Sequence, residues 1–193
     1  SLMNRLQELR EVKTGNISMA IGEGFLGNAF AKTLDQFQRR NPGIAITVHS
    51  CSSSEVVRMV LEDEAHIGMI LHITDEPKIR TRLSVSQPLT VLCAPGHPAA
   101  ALQAVTMEDL ARYALCLPPK GFRIRAQLAQ AERRARVMLE PMLVTTSIQM
   151  MRDVAKAGRA VTVLPRLSVV TELAEGSLVA RPLLDPELEH SSV

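Results

Sequence analysis

Apolar residues change their spacing several times along the chain, and each change marks an element. Leu2, Leu6, Leu9 and Val12 recur at helical spacing and predict a short helix over 1–13, which Gly15 ends. Ile17, Met19 and Ile21 then alternate with small residues as a buried strand that runs into Gly22-Glu23-Gly24. The helix after it carries Leu26, Phe30, Leu34 and Phe37 on one face and closes at Asn41-Pro42-Gly43. Residues 44–49 read as a second strand, 50–54 as a polar turn rich in capping residues, and Val56, Val57, Val60 and Leu61 as the next helix. Residues 67–71 form a third strand. Strand–helix–strand–helix–strand in so short a stretch is the pattern of a parallel sheet covered on both faces.

The pattern changes beyond it. Residues 82–94 are one extended stretch, broken by Pro88 and ended by Pro95-Gly96-His97-Pro98. Thr106 and Asp109 open a short helix in the manner of a capping box. Strands are expected at 115–117, 142–145 and 161–164, and helices at 126–139, from Ser147 to Ala157, and at 167–174, with a last extended piece at 177–183. The fold class is therefore α/β, with two Rossmann-like lobes and a cleft between them. Lobe I takes 14–86 and 165–193, lobe II takes 87–164, and the chain is expected to rejoin the first sheet at 161–165. Ligands of such sheets sit at the carboxyl ends of strands, against helix N-termini.

Composition narrows the class. Of 193 residues 46% are hydrophobic and 22% charged, with four Phe, one Tyr and no Trp, so the core is aliphatic. No run reaches the roughly 18 apolar residues of a membrane span, and 1–13 has no signal-peptide core. With 22 Lys+Arg against 20 Asp+Glu the chain lacks the basic excess of a nucleic-acid binder. Cys51, Cys93 and Cys116 are odd in number and widely spaced, as expected of reduced thiols in a cytoplasmic protein.

The sharpest motif is Gly22-Glu23-Gly24-Phe25-Leu26-Gly27, a GxGxxG between strand and helix. A dinucleotide site also wants an acid about 20 residues on, and 41–54 contains none. Arg58, the alternative for a 2′-phosphate, sits a full turn into a helix, and Tyr113 has no lysine four residues later. GxSxG, HExxH and Gly-Lys-Ser/Thr are absent, and His49, His66, His72, His97 and His190 make no metal-binding pair. No catalytic residue, metal or cofactor is expected. Two hydroxyl clusters remain, Ser52-Ser53-Ser54 and Thr145-Thr146-Ser147, each between a strand and a helix. N-capping alone accounts for them, at about 1 kcal/mol each. One from each lobe also makes a polar clamp for a carboxylate or similar small anion. Arg133, Arg134 and Arg136 read as a solvated helix face, while Arg123 or Arg125, beside Phe122, is a candidate partner for an anionic ligand.

Several segments, in this order and spacing, resemble the effector-binding domain of LysR-type transcriptional regulators. They are 14–22, Phe37 with Asn41-Pro42-Gly43, Ala65-His66-Ile67-Gly68, Pro88-Leu89, 94–98, Glu108-Asp109-Leu110, Thr145-Thr146-Ser147, 154–158, Val163-Leu164-Pro165 and 175–179. The resemblance implies a fold like the type 2 periplasmic binding proteins and a chain that is no enzyme. It also implies that 1–13 is the end of a linker helix, that DNA is bound only through a helix-turn-helix absent from this chain, and that the family's chain continues past 193. A homodimer is expected, with no membrane partner. Effector contacts map by resemblance to Gly24, Phe25, Leu26, Ser52, Ser53, His72, Phe122, Thr146 and Ser147. His66 stands where the family has Asp, and Ala160 where it has Gly. The rival readings are a solute-binding protein of like fold and an NAD(P)-binding enzyme.

Overall fold

The computed structural model describes residues 14–71, 74–186 and 188. The helix expected over 1–13 lies outside them. Strand β1 (Gly15–Gly22) is central in a parallel sheet of order β2-β1-β3, flanked by β2 (Ile44–Cys51) and β3 (Ile67–Met69). Helix α1 (Asn28–Arg40) links the first pair, and α2 (Ser53–Leu61) joins β2 to β3. The inner face of α2 places Val56 and Met59 against Ala20 and Ala65. It lies so close to β3 that a Cβ on Gly68 would come within 2.8 Å of Val56 Cγ1. These three strands and two helices follow the order that the hydrophobic pattern predicts.

The second group is built on β4 (Leu89–Cys93), all five of whose residues are buried. A strand apolar on both faces needs a neighbour on each edge and cover on each side. Antiparallel β7 (Thr162–Pro165) and β8 (Val179–Pro182) supply the edges. Beside them, β5 (Cys116–Leu117) pairs in parallel with β6 (Leu143–Val144), and Leu115 bridges Val161. The helices of this group are α3 (Met107–Leu110), α4 (Arg123–Ala135), α5 (Ile148–Lys156) and α6 (Val170–Ala174).

This pairing corrects one expectation. The chain does not rejoin the first sheet at 161–165, and 165–193 is not wholly a part of lobe I. Beyond β7 the 3₁₀ turn Arg166–Val169 packs on the turn Glu23–Phe25, and α6 packs on α1. β8 then returns to β4, and Leu183 bridges Val105. The reason is the demand of β4 for a second edge partner, which no local pattern announces. One buried cluster runs from Ile21, Phe25 and Leu71 into Leu89, Val91, Leu128 and Val163, so the two groups share a core.

Candidate functional site

The residues expected to touch a ligand fall just after strands. β1 ends at Gly22, and Glu23–Phe25 forms a 3₁₀ turn before α1. A Cβ on Gly24 would lie 3.3 Å from Ser168 Oγ, and one on Gly27 3.4 Å from Arg152 Nη1. Close approach of other side chains thus gives these two glycines a reason independent of any phosphate. Phe25 is buried in the main core, and half-buried Leu26 packs against it. After β2, exposed Ser52 caps α2: its Oγ accepts from the Glu55 N–H at 3.3 Å and lies 3.1 Å from Ser54 Oγ. Ser53, the first residue of α2, is half-buried.

In the second group Phe122 is the half-buried N-cap of α4 and makes no side-chain capping bond. Ser147 caps α5, accepting from the Met150 N–H at 3.2 Å, and its own N–H donates to Thr145 Oγ1 at 3.1 Å. Thr146 is exposed. His72 lies outside the described residues. Both serine caps are therefore present, one in each of the two groups, and each leaves further first-turn N–H groups without an intrahelical acceptor.

A cavity of about 220 Å³ lies where the 23–25 turn and α1 meet α5 and the 166–175 segment. Phe25 and Leu26 line it, while Gly24 approaches it only through Ser168; Ser52, Ser53, Phe122, Thr146 and Ser147 are outside its wall. Its polar wall includes Gln149, Arg152, Ser168 and Glu172, none of which the sequence pattern singles out, together with Lys156, Thr171 and Glu175. Arg152 is buried; its Nη1 donates to the Ser168 carbonyl at 2.8 Å and its Nη2 to Gln149 Oε1 at 2.7 Å. Glu172 Oε1 stands 3.6 Å from Arg152 Nε, an ion pair beyond hydrogen-bond length. The signal was available: Arg152 shares the α5 stripe of Ile148, Met151 and Ala155, where an arginine must find partners.

Other charged candidates are already engaged. Arg125, a candidate for an anionic ligand, is buried and paired with Glu132, Nη1 to Oε2 at 2.5 Å. Arg134, expected on a solvated face, makes a two-pronged bond to Asp185 at 2.6 and 3.0 Å. Arg58 is held by Glu55, Glu62 and Glu64, which raises its pKa further, and the Arg58 guanidinium holds the Glu55 and Glu64 carboxyls below the usual range. Among the described residues there is no His/Cys/Asp/Glu group that could hold a metal. Cys51, Cys93 and Cys116 form no disulfide with one another, and burial pushes the Cys93 and Cys116 thiols up. No helix among the described residues is long and apolar enough to cross a membrane.

The family model for the LysR substrate binding domain matches residues 10–193. The chain belongs to the LysR substrate-binding domain family. It is 28% identical over 197 residues to the HTH-type transcriptional regulator BbuR of Bordetella bronchiseptica, covering 96% of this chain and 59% of that protein. To SsuR of Burkholderia cenocepacia, another HTH-type transcriptional regulator, it is 22% identical over 163 residues, covering 84% of this chain and 53% of that protein. The chain thus spans a little over half the length of these curated relatives. Among solved structures it resembles the regulatory domain of CcmR from Synechocystis PCC6803 in complex with 2-PG, with a TM-score of 0.75 and 18% identity over 93% of this chain and 85% of that one. The effector binding domain of QuiR in complex with shikimate superposes with a TM-score of 0.70 and 14% identity, covering 90% and 82% of the two chains. The shared architecture is the two-lobed α/β fold of the LysR effector-binding domains, like that of the type 2 periplasmic binding proteins.

Proposed function

We propose that this LysR substrate-binding domain is the effector-sensing part of a transcriptional regulator and takes up a small anionic metabolite at the carboxyl ends of its strands. The observation that carries this reading is the pair of serine-capped helices, α2 after β2 and α5 after β6, in a chain of this family. Each cap satisfies one first-turn N–H and leaves others, with the positive end of the helix dipole, for an oxyanion. The hydroxyls of Ser53 and Thr146 stand beside those caps as further donors. Gly24, Phe25, Leu26, His72 and Phe122 complete the proposed contact set, with lobe I on one side of the ligand and lobe II on the other.

A ligand shifts a two-state regulator only through its differential affinity for the two states. In the proposed mechanism the anion favours one arrangement of paired domains in a homodimer, and attached helix-turn-helix domains respond in their spacing on DNA. A cytoplasmic, non-enzymatic role follows from the same reading. The test is a thermal-shift screen of the chain against small carboxylates and phosphorylated acids. A ligand at 100 times its dissociation constant adds about 2.7 kcal/mol of stability. The expected result is a saturable shift that Ser52→Ala and Ser147→Ala each reduce. A shift produced by NAD(P)H alone, or an anion whose effect ignores both substitutions, would overturn the assignment.

A further inference from the structure

A groove of about 330 Å³ lies between residues 86–88, which lead into β4, and the segment after β7 that carries Arg166, Leu167, Val170 and Leu173. The Gln87 side chain ties the two together: its Oε1 accepts the Leu167 N–H at 3.1 Å. None of the proposed effector contacts lines this groove. Most of its exposed wall is apolar, and more apolar surface stands next to it along the chain. Leu167 and Val170 are 37% and 44% exposed, and Val85 and Leu83, one and three residues before Ser86, are 44% and 75% exposed. Residues 80–85 lie in no helix or strand and are exposed throughout. Large apolar side chains gathered in this way, with polar groups around them, mark a surface that another protein covers.

Charge selects the partner. Arg80 and Arg82 stand on the exposed segment that leads into the groove, Arg166 stands in its wall, and none of the three forms an ion pair with any described residue. No acid lines the groove. The sequence has no Asp or Glu between Glu76 and Glu108, and none between Asp153 and Glu172, and Glu172 is already engaged by Arg152. An apolar floor with uncompensated arginines beside it is complementary to an acidic amphipathic segment. A second copy placed here by two-fold symmetry would set these arginines against their own copies. A nucleic acid would leave Leu83, Val85 and Val170 without apolar cover, and the chain lacks the basic excess of such binders. We infer that this groove docks an acidic amphipathic helix of another protein, with its apolar face on Leu83, Val85, Leu167 and Val170 and its carboxylates on Arg80, Arg82 and Arg166. The surface is separate from the serine caps and owes nothing to the effector reading.

The experiment is fluorescence anisotropy of a labelled peptide of about four helical turns, with Leu along one helical face and Glu elsewhere, titrated with the full chain. Saturable binding is expected, weakened as salt rises from about 50 to about 200 mM. A peptide with Lys in place of Glu should not bind, and one with Ser in place of Leu should bind about tenfold more weakly or worse. Leu83→Ser, and Arg82→Glu combined with Arg166→Glu, should each weaken binding by at least about tenfold, while Lys32→Glu on α1 and Ser147→Ala leave it unchanged. All the substituted groove residues are exposed, so the thermal midpoints of these variants should match the wild type, which separates lost docking from lost folding. Absence of saturable binding by the acidic peptide overturns the proposal, as does equal binding of the lysine peptide or undiminished binding by both groove variants. Displacement of the peptide by duplex DNA, or a change in the chain's own sedimentation caused by Leu83→Ser, assigns the groove to another occupant and overturns it equally.

Discussion

Gly68 has no room for even one more carbon: a Cβ there would meet Val56 Cγ1 at 2.8 Å and Val60 Cγ2 at 3.0 Å. Gly68→Ala should therefore cost about 1–3 kcal/mol, read as a lowered urea midpoint with an unchanged slope. His97 is a second local constraint. Its Nδ1 accepts the Ala99 N–H at 3.1 Å, its ring meets Tyr113 edge-on at 5.0 Å, and burial lowers its pKa. The sign follows from linkage: on acidification the unfolded chain takes up this proton first, near pH 6.5. The His97 contribution is thus complete above that pH and is lost as pH falls towards the lower folded value. Between pH 7 and 5 the melting temperature of the wild type should fall further than that of His97→Asn, which keeps a capping acceptor and does not titrate. The caps at Ser52, Thr106 and Ser147 were legible in the sequence because each closes a bond within three residues. The fates of Arg125 and Arg152 were not, since partners for a buried guanidinium are chosen by packing.

Helix α4 shows how an element can be recognised and its ends misplaced. Periodicity predicts 126–139, but the helix runs Arg123–Ala135 and stops as Arg136 turns left-handed at φ 57°, with the Val137 N–H returned to the Glu132 carbonyl. Leu139, apolar and at a plausible helical spacing, is buried instead from the loop beyond. Glu132 organises this ending: its Oε1 accepts the Leu139 N–H at 2.7 Å, and the carboxylate pairs with buried Arg125. Glu132→Ala leaves a guanidinium buried without its counter-charge, and a loss of about 3–5 kcal/mol is expected on thermal or chemical unfolding. Replacing both partners by apolar residues of similar volume should restore much of that loss. The boundary was hidden because the carboxylate that ends the helix acts from inside it, on a residue seven positions later.

Across the whole molecule the decisive choice is where the chain after β7 goes. The pairing of β8 with β4 is anchored by Asp185, which accepts from Arg134 on α4 and from the Leu188 N–H at 3.3 Å. Asp185→Ala should cost about 2 kcal/mol from the lost charge-assisted bonds. Hydrogen exchange should report it as faster exchange in β8 and Leu183, with the β1–β2 amides little changed. The alternating and helical periods, the three N-caps and the βαβαβ order of the first lobe were determined by the sequence itself. Each depends on neighbours within a few residues, where local chemistry dominates. The resemblance in ordered segments was also enough to reach the family. Only the tertiary structure decided that β4 takes β7 and β8 as partners, that Arg125 and Arg134 are engaged, and that Arg152 meets Ser168 and Glu172 beside Phe25. Those contacts join residues far apart in the chain, and their selection rests on filling a shared core and on pairing the charges that the core encloses.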